Sequence, residues 1–315
     1  IFSFPISYLE QDKVKNEYML LIHGKENMPR TKDGKPRRAH TGDFLGPSSV
    51  SLETKNIMSI DIDSSVPNIN KPYTVTDKAD GERHLLYING DGLIFLIDTN
   101  MRFIMSGSVT KENKIKNTIL DGELITHNKH GKFVNLFAAF DVYIVNKKNV
   151  KSLIFTNVER EGKTRLNILN QVVQLINPQN IVSSVYGLKV QVKHFEITSE
   201  SNSIFDCCNK LFNKIHHPSF DYETDGLIFT PADQVLPKEN NKFTWDYSFK
   251  WKPPEFNTID FLISFKKDDK NKLVVNNIYQ EGVDLSNGSN ISKYITLNLM
   301  CGFNEGNPDH GYMNP

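Results

Sequence analysis

From Pro72 onward the apolar residues fall into short runs separated by turn-forming residues. Residues 73–76, 84–88 and 93–98 are apolar or β-branched runs of strand length. Asn89-Gly90-Asp91-Gly92 lies between the last two. It is a hairpin signal, because these residue types accept the backbone of tight turns. Further strands are predicted at 103–106, 118–126 and 133–145. Over 158–176 the spacing changes. Val158, Leu166, Leu169, Val172, Val173 and Ile176 fall largely on one face of a helix. A strand near 189–196 and a second helix near 200–214 follow, the latter with Ser199 or Ser201 as its cap. Strands return at 226–230 and 247–251. After Pro253-Pro254 the runs 259–265, 273–279 and 294–300 read as strands joined by polar turns rich in Asn, Gly and Lys.

This pattern predicts an α+β body of antiparallel sheets with helices, followed by part of a small β-barrel. The expected division is 1–44 as an N-terminal extension or linker, 45–254 as the main domain, and 255–315 as the partial barrel. Residues 24–49 read as a connector, because charges and breakers crowd there and apolar residues are few. Its plain reading is a solvated, mobile loop. The sharper one is a basic strip touching RNA phosphates.

Composition narrows the function classes. The 315 residues carry 37 basic and 37 acidic side chains. That balance argues against one broad basic surface, while leaving room for a local basic groove. Twenty Phe and eleven Tyr are ample for a core. No stretch approaches ~18 consecutive apolar residues, the length of a membrane span. Cys207, Cys208 and Cys301 form no CxxC pair, which reads as a reducing compartment without a zinc site or a disulfide framework. The start at Ile1, with neither Met nor a signal layout, is expected of a piece of something longer.

The chemistry is concentrated in a few short segments. Lys78-Ala79-Asp80-Gly81-Glu82-Arg83 joins two predicted strands. A lysine at a strand end beside a glycine turn is well placed to point into a cleft. It attacks only as the neutral amine, so its pKa has to fall from about 10.4 towards 7, at a cost of roughly 4 kcal/mol. Burial and neighbouring cations supply such a change. The bland alternative is a surface turn of mixed charge. Asp121-Gly122-Glu123-Leu124 follows an apolar strand start, and Phe140-Asp141-Val142-Tyr143 lies inside a long apolar strand. Thr224-Asp225-Gly226-Leu227 puts a carboxylate at a strand mouth. Phe249-Lys250-Trp251-Lys252-Pro253-Pro254 places two lysines at alternating positions, which share one face of a strand. Together Lys250 and Lys252 suit a polyanion such as a triphosphate. On a solvent face they are ordinary surface lysines.

These five segments, in this order over residues 72–254, resemble the covalent nucleotidyltransferase superfamily of mRNA capping guanylyltransferases and ATP-dependent polynucleotide ligases. Two flanks are similar to the capping branch. One is Lys250-Trp251-Lys252-Pro253-Pro254 leading into Asn257-Thr258-Ile259-Asp260-Phe261, and the other is Phe44-Leu45-Gly46-Pro47-Ser48-Ser49-Val50-Ser51-Leu52. The Asn- and Lys-rich composition resembles the multifunctional capping enzymes of large DNA viruses, such as poxviruses, asfarviruses and mimivirus-like viruses.

The resemblance implies an ATP-grasp-like nucleotidyltransferase body and a partial OB-fold. It implies an mRNA guanylyltransferase in which Lys78 attacks the α-phosphate of GTP to give a lysyl-N-GMP, and GMP then passes to a 5′-diphosphate RNA end. The alternative on the same scaffold is an ATP-dependent DNA or RNA ligase. It further implies that Lys78, Asp80, Gly81, Arg83, Glu123, Phe140, Lys250 and Lys252 bind the nucleotide. Phe140 would stack on guanine, and Lys250 and Lys252 would grip the α-phosphate. Asp225 would orient Lys78, and Glu123 with Asp225 would hold Mg²⁺ or Mn²⁺. The implied partners are GTP, the 5′ end of nascent mRNA, and triphosphatase and methyltransferase domains or subunits. The implied location is cytoplasmic, in a viral factory or virion. One departure stands out: the family's last basic motif, in the barrel, is not found before Pro315.

Overall fold

The computed structural model describes residues 4–59, 65–157, 163–181, 187–238, 242–256, 261–278, 292–302 and 312–313. The chain divides into two compact units, Ile1–Pro253 and Pro254–Pro315.

The first unit opens with helix α1, Tyr8–His23. Ser7 Oγ accepts from Glu10 N at 3.2 Å, and Glu10 Oε2 accepts from Ser7 N at 2.9 Å. This reciprocal cap satisfies two backbone donors that a helix start leaves open. Val14, Tyr18, Met19 and Ile22 line one side of α1 and pack with Phe44, Leu85, Tyr87, Phe95 and Phe103. Residues 1–44, expected as an extension or linker, therefore contribute a helix to the core of this unit.

Two sheets follow. Strands β1 (Gly46–Ser51), β2 (Tyr73–Ala79), β3 (Glu82–Ile88), β4 (Leu93–Asp98), β5 (Phe103–Val109), β6 (Thr118–His127) and β7 (Phe133–Val145) come first, then the short β8 (Lys148–Asn149). Helix α2 (Arg165–Ile176) leads into β9 (Gln179–Asn180), β10 (Lys189–Val192) and β11 (Glu196–Ile197). Helix α3 (Ile204–Ile215), β12 (Thr224–Pro231) and β13 (Lys242–Trp251) complete the unit. One sheet has the order β1-β13-β12-β2-β11 and the other β10-β7-β6-β3-β4-β5-β9, with β8 paired to β7. Pairing is mostly antiparallel, as expected, but β1 runs parallel to β13 and β10 parallel to β7.

The eight-stranded sheet is buried on both faces. Leu85, Tyr87, Phe95 and Ile97 face the core that α1 covers, whereas Leu86, Ile88, Ile94 and Leu96 face the core that α2 covers. That is why these strands read as nearly unbroken apolar runs. In α2, Leu169 and Ile176 are fully buried, each stabilising by roughly 1.5–3 kcal/mol. Thr164 caps α2, its side chain accepting from Asn167 N at 3.3 Å; the expected helical turn around Val158 lies outside the described residues. Helix α3 packs Ile204, Cys207 and Leu211 against Val75, Leu227 and Phe229 of the five-stranded sheet. Its cap is Ser203, reciprocated by Asp206, rather than Ser199 or Ser201, because the helix starts at Ile204.

The hairpin between β3 and β4 forms as expected. Asn89 Oδ1 accepts from Asp91 N at 3.0 Å and from Leu93 N at 2.9 Å. Gly92 has φ 87°, and a Cβ there would sit 2.3 Å from the Thr110 carbonyl oxygen, so no other residue fits. The predicted strand 189–196 is two strands. β10 pairs with β7 and β11 with β2, in different sheets, and Lys193 lies at the crossing.

In the second unit β14 (Phe261–Phe265), β15 (Val275–Ile278), β16 (Ser292–Ile295), β17 (Leu297–Gly302) and β18 (Tyr312–Met313) form two antiparallel sheets, β14-β17-β18 and β15-β16. The run 294–300, expected as one strand, is split at Thr296. Its halves serve different sheets, and the Thr296 carbonyl accepts from Lys266 N at 2.9 Å. Residues 257–260 and Tyr279 of the predicted strands lie outside the described residues.

Candidate active site

β2 runs through the exposed Asp80-Gly81 turn directly into β3, so neighbouring residues of the chain serve different sheets. Lys78 is the last residue but one of β2. Across from it, the pairing of β12 with β2 slips between Thr224 and Leu227. This bulge holds Asp225 beside Lys78. Gly226, with φ 152°, makes the bulge: a Cβ there would lie 1.9 Å from the Trp251 carbonyl oxygen. Lys78 Nζ donates to Asp225 Oδ1 at 2.6 Å, and Lys252 Nζ lies 2.6 Å from Asp225 Oδ2. One carboxylate thus bridges two ammonium groups. Burial pushes the Asp225 carboxyl up, but the hydrogen bonds from Lys252 and Lys78 outweigh it and hold it below the usual carboxylate range.

The opposite wall belongs to the eight-stranded sheet. Arg83 on β3 donates from Nε to Asp121 Oδ1 at 3.1 Å and from Nη2 to Asp121 Oδ2 at 2.5 Å. The Tyr143 hydroxyl donates to the same Oδ2. Asp121 has no solvent exposure. Arg83 Cζ sits 5.3 Å from the Phe44 ring centre and 5.7 Å from that of Phe140, so the guanidinium lies between two aromatic rings. Burial lowers the Arg83 pKa, but the Asp121 carboxylate more than reverses this and keeps the side chain charged. Lys193 is buried, with its ammonium 3.1 Å from Asp77 Oδ2. Arg165, fully buried at the start of α2, donates to Asp141 Oδ1 at 2.9 Å and to the Leu153 carbonyl at 2.6 Å.

A cavity lies between the two sheets. Lys78, Arg83, Glu123, Phe140 and Lys193 line it, with Ser248 and Ile228 from the five-stranded sheet. Of the residues singled out in the sequence, Lys78, Arg83, Glu123 and Phe140 therefore meet in the cavity, and Asp225 and Lys252 are tied to Lys78. Lys250 pairs across with Ile228 and so faces the cavity side of its sheet, exposed. Lys252 lies one residue beyond the end of β13, with its ammonium on Asp225. Asp80 and Gly81 stay in the exposed turn and do not line the cavity; Asp80 N donates to the Glu223 carbonyl at 2.9 Å.

A sequence model of the catalytic domain of mRNA capping enzymes matches residues 12–254. The chain belongs to this mRNA capping enzyme family. Relatives include the probable mRNA-capping enzyme of Acanthamoeba polyphaga mimivirus, 25% identical over 314 residues covering 84% of this chain and 23% of that protein. The mRNA-capping enzyme of Mus musculus is 25% identical over 245 residues, covering 75% of this chain and 37% of that one. The mRNA-capping enzyme of African swine fever virus (isolate Pig/Kenya/KEN-50/1950) is 30% identical over 193 residues, covering 61% of this chain and 18% of that one. The chain thus spans between 18% and 37% of the length of these three relatives.

This capping-family site contains residues that sequence reasoning did not single out: Phe44, Asp121, Lys193 and Arg165. Asp121 stands two residues before Glu123 in the same motif, and its full burial was the missing signal. Lys193 comes from outside the motifs and is brought in only by the fold; Phe44 opens the quoted segment before the lysine motif, but its place against Arg83 is set by the fold. Two acidic residues line the cavity: Asp141 is held by Arg165, whereas Glu123 has no hydrogen-bond partner among the described residues. Burial pushes it up to about 7, against the attraction of Lys193 and helped by repulsion from Asp121. Among the described residues no three His, Cys, Asp or Glu side chains come together to hold a metal. Both oxygens of Asp225 are already taken by lysines. The donor set therefore fits an ion such as Mg²⁺ that relies on one carboxylate, Glu123, and takes its other ligands from phosphate oxygens and water.

Proposed function

We propose that this chain is the guanylyltransferase module of an mRNA capping enzyme, with a nucleotidyltransferase body and part of an OB-type barrel. The observation that carries this reading is the Lys78–Asp225–Lys252 bridge at the edge of a cavity lined by Arg83, Glu123 and Phe140. Attack on the α-phosphate of GTP forms a bond from Lys78 Nζ to phosphorus. The bond to the bridging oxygen breaks, pyrophosphate leaves with the electron pair, and the amine proton goes to solvent. Asp225, held ionised by its two lysines, orients the nucleophile rather than deprotonating it. Lys252, just beyond the end of β13, and Lys250, near that end, would face the non-bridging oxygens, where negative charge grows. Phe140 offers a face to the base, stiffened by Arg83. A Mg²⁺ or Mn²⁺ ion at Glu123 would screen the charge on the phosphates.

GMP then passes from Lys78 to the 5′-diphosphate end of RNA. The lengths of the capping-family relatives support partner domains or subunits beyond this chain, of triphosphatase and methyltransferase type. The test is incubation with labelled GTP or ATP and Mg²⁺, followed by mass analysis of the modified peptide. The expected product is GMP on Lys78, absent in Lys78→Ala. An adduct formed from ATP and not GTP would overturn capping in favour of ligation, and an adduct surviving Lys78→Ala would overturn the nucleophile.

A further inference from the structure

The cations of this balanced chain are not evenly spread. Residues 24–42 hold Lys25, Arg30, Lys32, Lys35, Arg37 and Arg38 against only Glu26 and Asp33. The plain expectation for this segment was a mobile connector and the sharper one a basic strip touching RNA phosphates; the segment is folded. Arg30 and Pro36 pair as an antiparallel bridge. Thr31 N donates to the Lys35 carbonyl at 2.8 Å, Arg37 N to the Pro29 carbonyl at 2.9 Å, and Gly34 N to the Thr31 carbonyl at 2.9 Å. Arg30 spends its Nη1 on the Gly34 carbonyl, at 2.8 Å. The base of this hairpin is clamped by Arg37, which grips both oxygens of buried Asp43 at 2.7 and 2.9 Å.

The clamp fixes the hairpin relative to the cavity. Asp43 immediately precedes Phe44, whose ring carries Arg83. Pro47, four residues on, lines the cavity itself. Four residues of chain span at most about 13–14 Å. Lys25, Lys32, Lys35 and Arg38 are exposed, and among the described residues none of them is in an ion pair. Fold stability does not call on these four charges, while the hairpin that carries Lys32 and Lys35 is anchored through Arg37 to Asp43, four residues before the cavity-lining Pro47.

We propose that this hairpin is a phosphate-binding surface for the acceptor RNA, engaging backbone phosphates downstream of the 5′ end. The proposal rests on the capping reading above, and it predicts that RNA, but not GTP, responds to the hairpin's charge. The experiment compares the parent chain with K32E/K35E/R38E. It measures binding of a fluorescent 20-nucleotide RNA with a 5′-diphosphate, and of GTP, across a salt series. Each lost phosphate contact lowers the salt slope by about 0.7 for a single strand. The triple variant should therefore bind RNA roughly ten-fold more weakly, with a slope smaller by about 2, while its GTP affinity is unchanged. Equal RNA affinity in the two proteins overturns the proposal, as does a parallel loss of GTP binding. Displacement of the RNA by polyglutamate of equal charge as effectively as by unlabelled RNA would assign the surface to acidic protein segments and also overturn it. The identity of the Lys78 adduct is read separately, so failure here leaves the capping reading standing, and failure there does not depend on RNA.

Discussion

Asp121→Asn tests whether a buried carboxylate sets the cavity wall. The substitution keeps the shape but replaces one acceptor oxygen with an NH₂ donor. Asp121 now takes three bonds, two from Arg83 and one from Tyr143. In the variant one of those donors meets another donor, and the Arg83 charge loses its counter-ion. Removing one member of a buried pair costs about 3–5 kcal/mol. The Arg83 side chain keeps 20% exposure, so the low end, about 3 kcal/mol, applies. At roughly 2–4 °C per kcal/mol for a unit of this size, melting should fall by about 6–12 °C. Tyr143→Phe removes one neutral donor and should cost only about 1 kcal/mol. GTP affinity should drop by about ten-fold or more in Asp121→Asn, because Arg83 loses its orientation at the cavity. Thermal melts by near-ultraviolet circular dichroism and GTP titration measure both effects. A melt within 2 °C of the parent, with unchanged GTP affinity, would refute the argument that this pair holds Arg83 in place.

Three further outcomes are expected. Glu123 binds a proton more tightly in the folded protein, with a pKa raised to about 7, than in the unfolded chain at about 4.3. Its contribution to stability therefore falls as pH rises from about 4.3 to 7; in Glu123→Gln, melting curves at pH 5 and 7.5 should lie closer together than in the parent, and an unchanged spacing would contradict the assignment. Gly226→Ala drives a Cβ to within 1.9 Å of the Trp251 carbonyl oxygen; it should cost about 2–3 kcal/mol and displace Asp225, seen as a lower melting temperature together with loss of the Lys78 adduct. Arg165→Met leaves Asp141 buried without its cation, at a cost of about 3–5 kcal/mol; the paired change Arg165→Met with Asp141→Leu should recover part of that in denaturant titrations, whereas an additive loss would show that the pair is not the source.

The strands and the chemical motifs were legible because each is decided locally. A run such as Phe133–Val145 is a strand whichever neighbours it has, and Lys78, Asp225 and Lys252 announce themselves by chemistry at strand ends. What was not legible depends on pairing across the molecule. The 189–196 and 294–300 runs look continuous in sequence, and each is broken because its halves hydrogen-bond to different sheets. Helix α1 had a readable signature in Ser7 and Glu10 with Val14, Tyr18 and Ile22. The charges at Glu10, Asp12, Lys13, Lys15 and Glu17 mask that apolar stripe.

The site's architecture follows from one turn. Lys78 and Arg83 stand five residues apart, yet the Asp80-Gly81 turn sends them to opposite sheets. Asp225 and Lys252 share the five-stranded sheet, or its continuation, with Lys78. Glu123, Phe140 and Asp121 belong with Arg83 on the other. The groups that would attack and stabilise the phosphate thus sit on one sheet, and those that would hold the base and ribose on the other. Gly81 is the joint, where a Cβ would come within 3.0 Å of the Leu124 carbonyl oxygen. The absence of a side chain there lets β3 turn away at once and lie against β6. The short distance between nucleophile and pocket in sequence is therefore a consequence of the sheet geometry, and a sequence motif this compact can mark a cavity that two separate layers enclose.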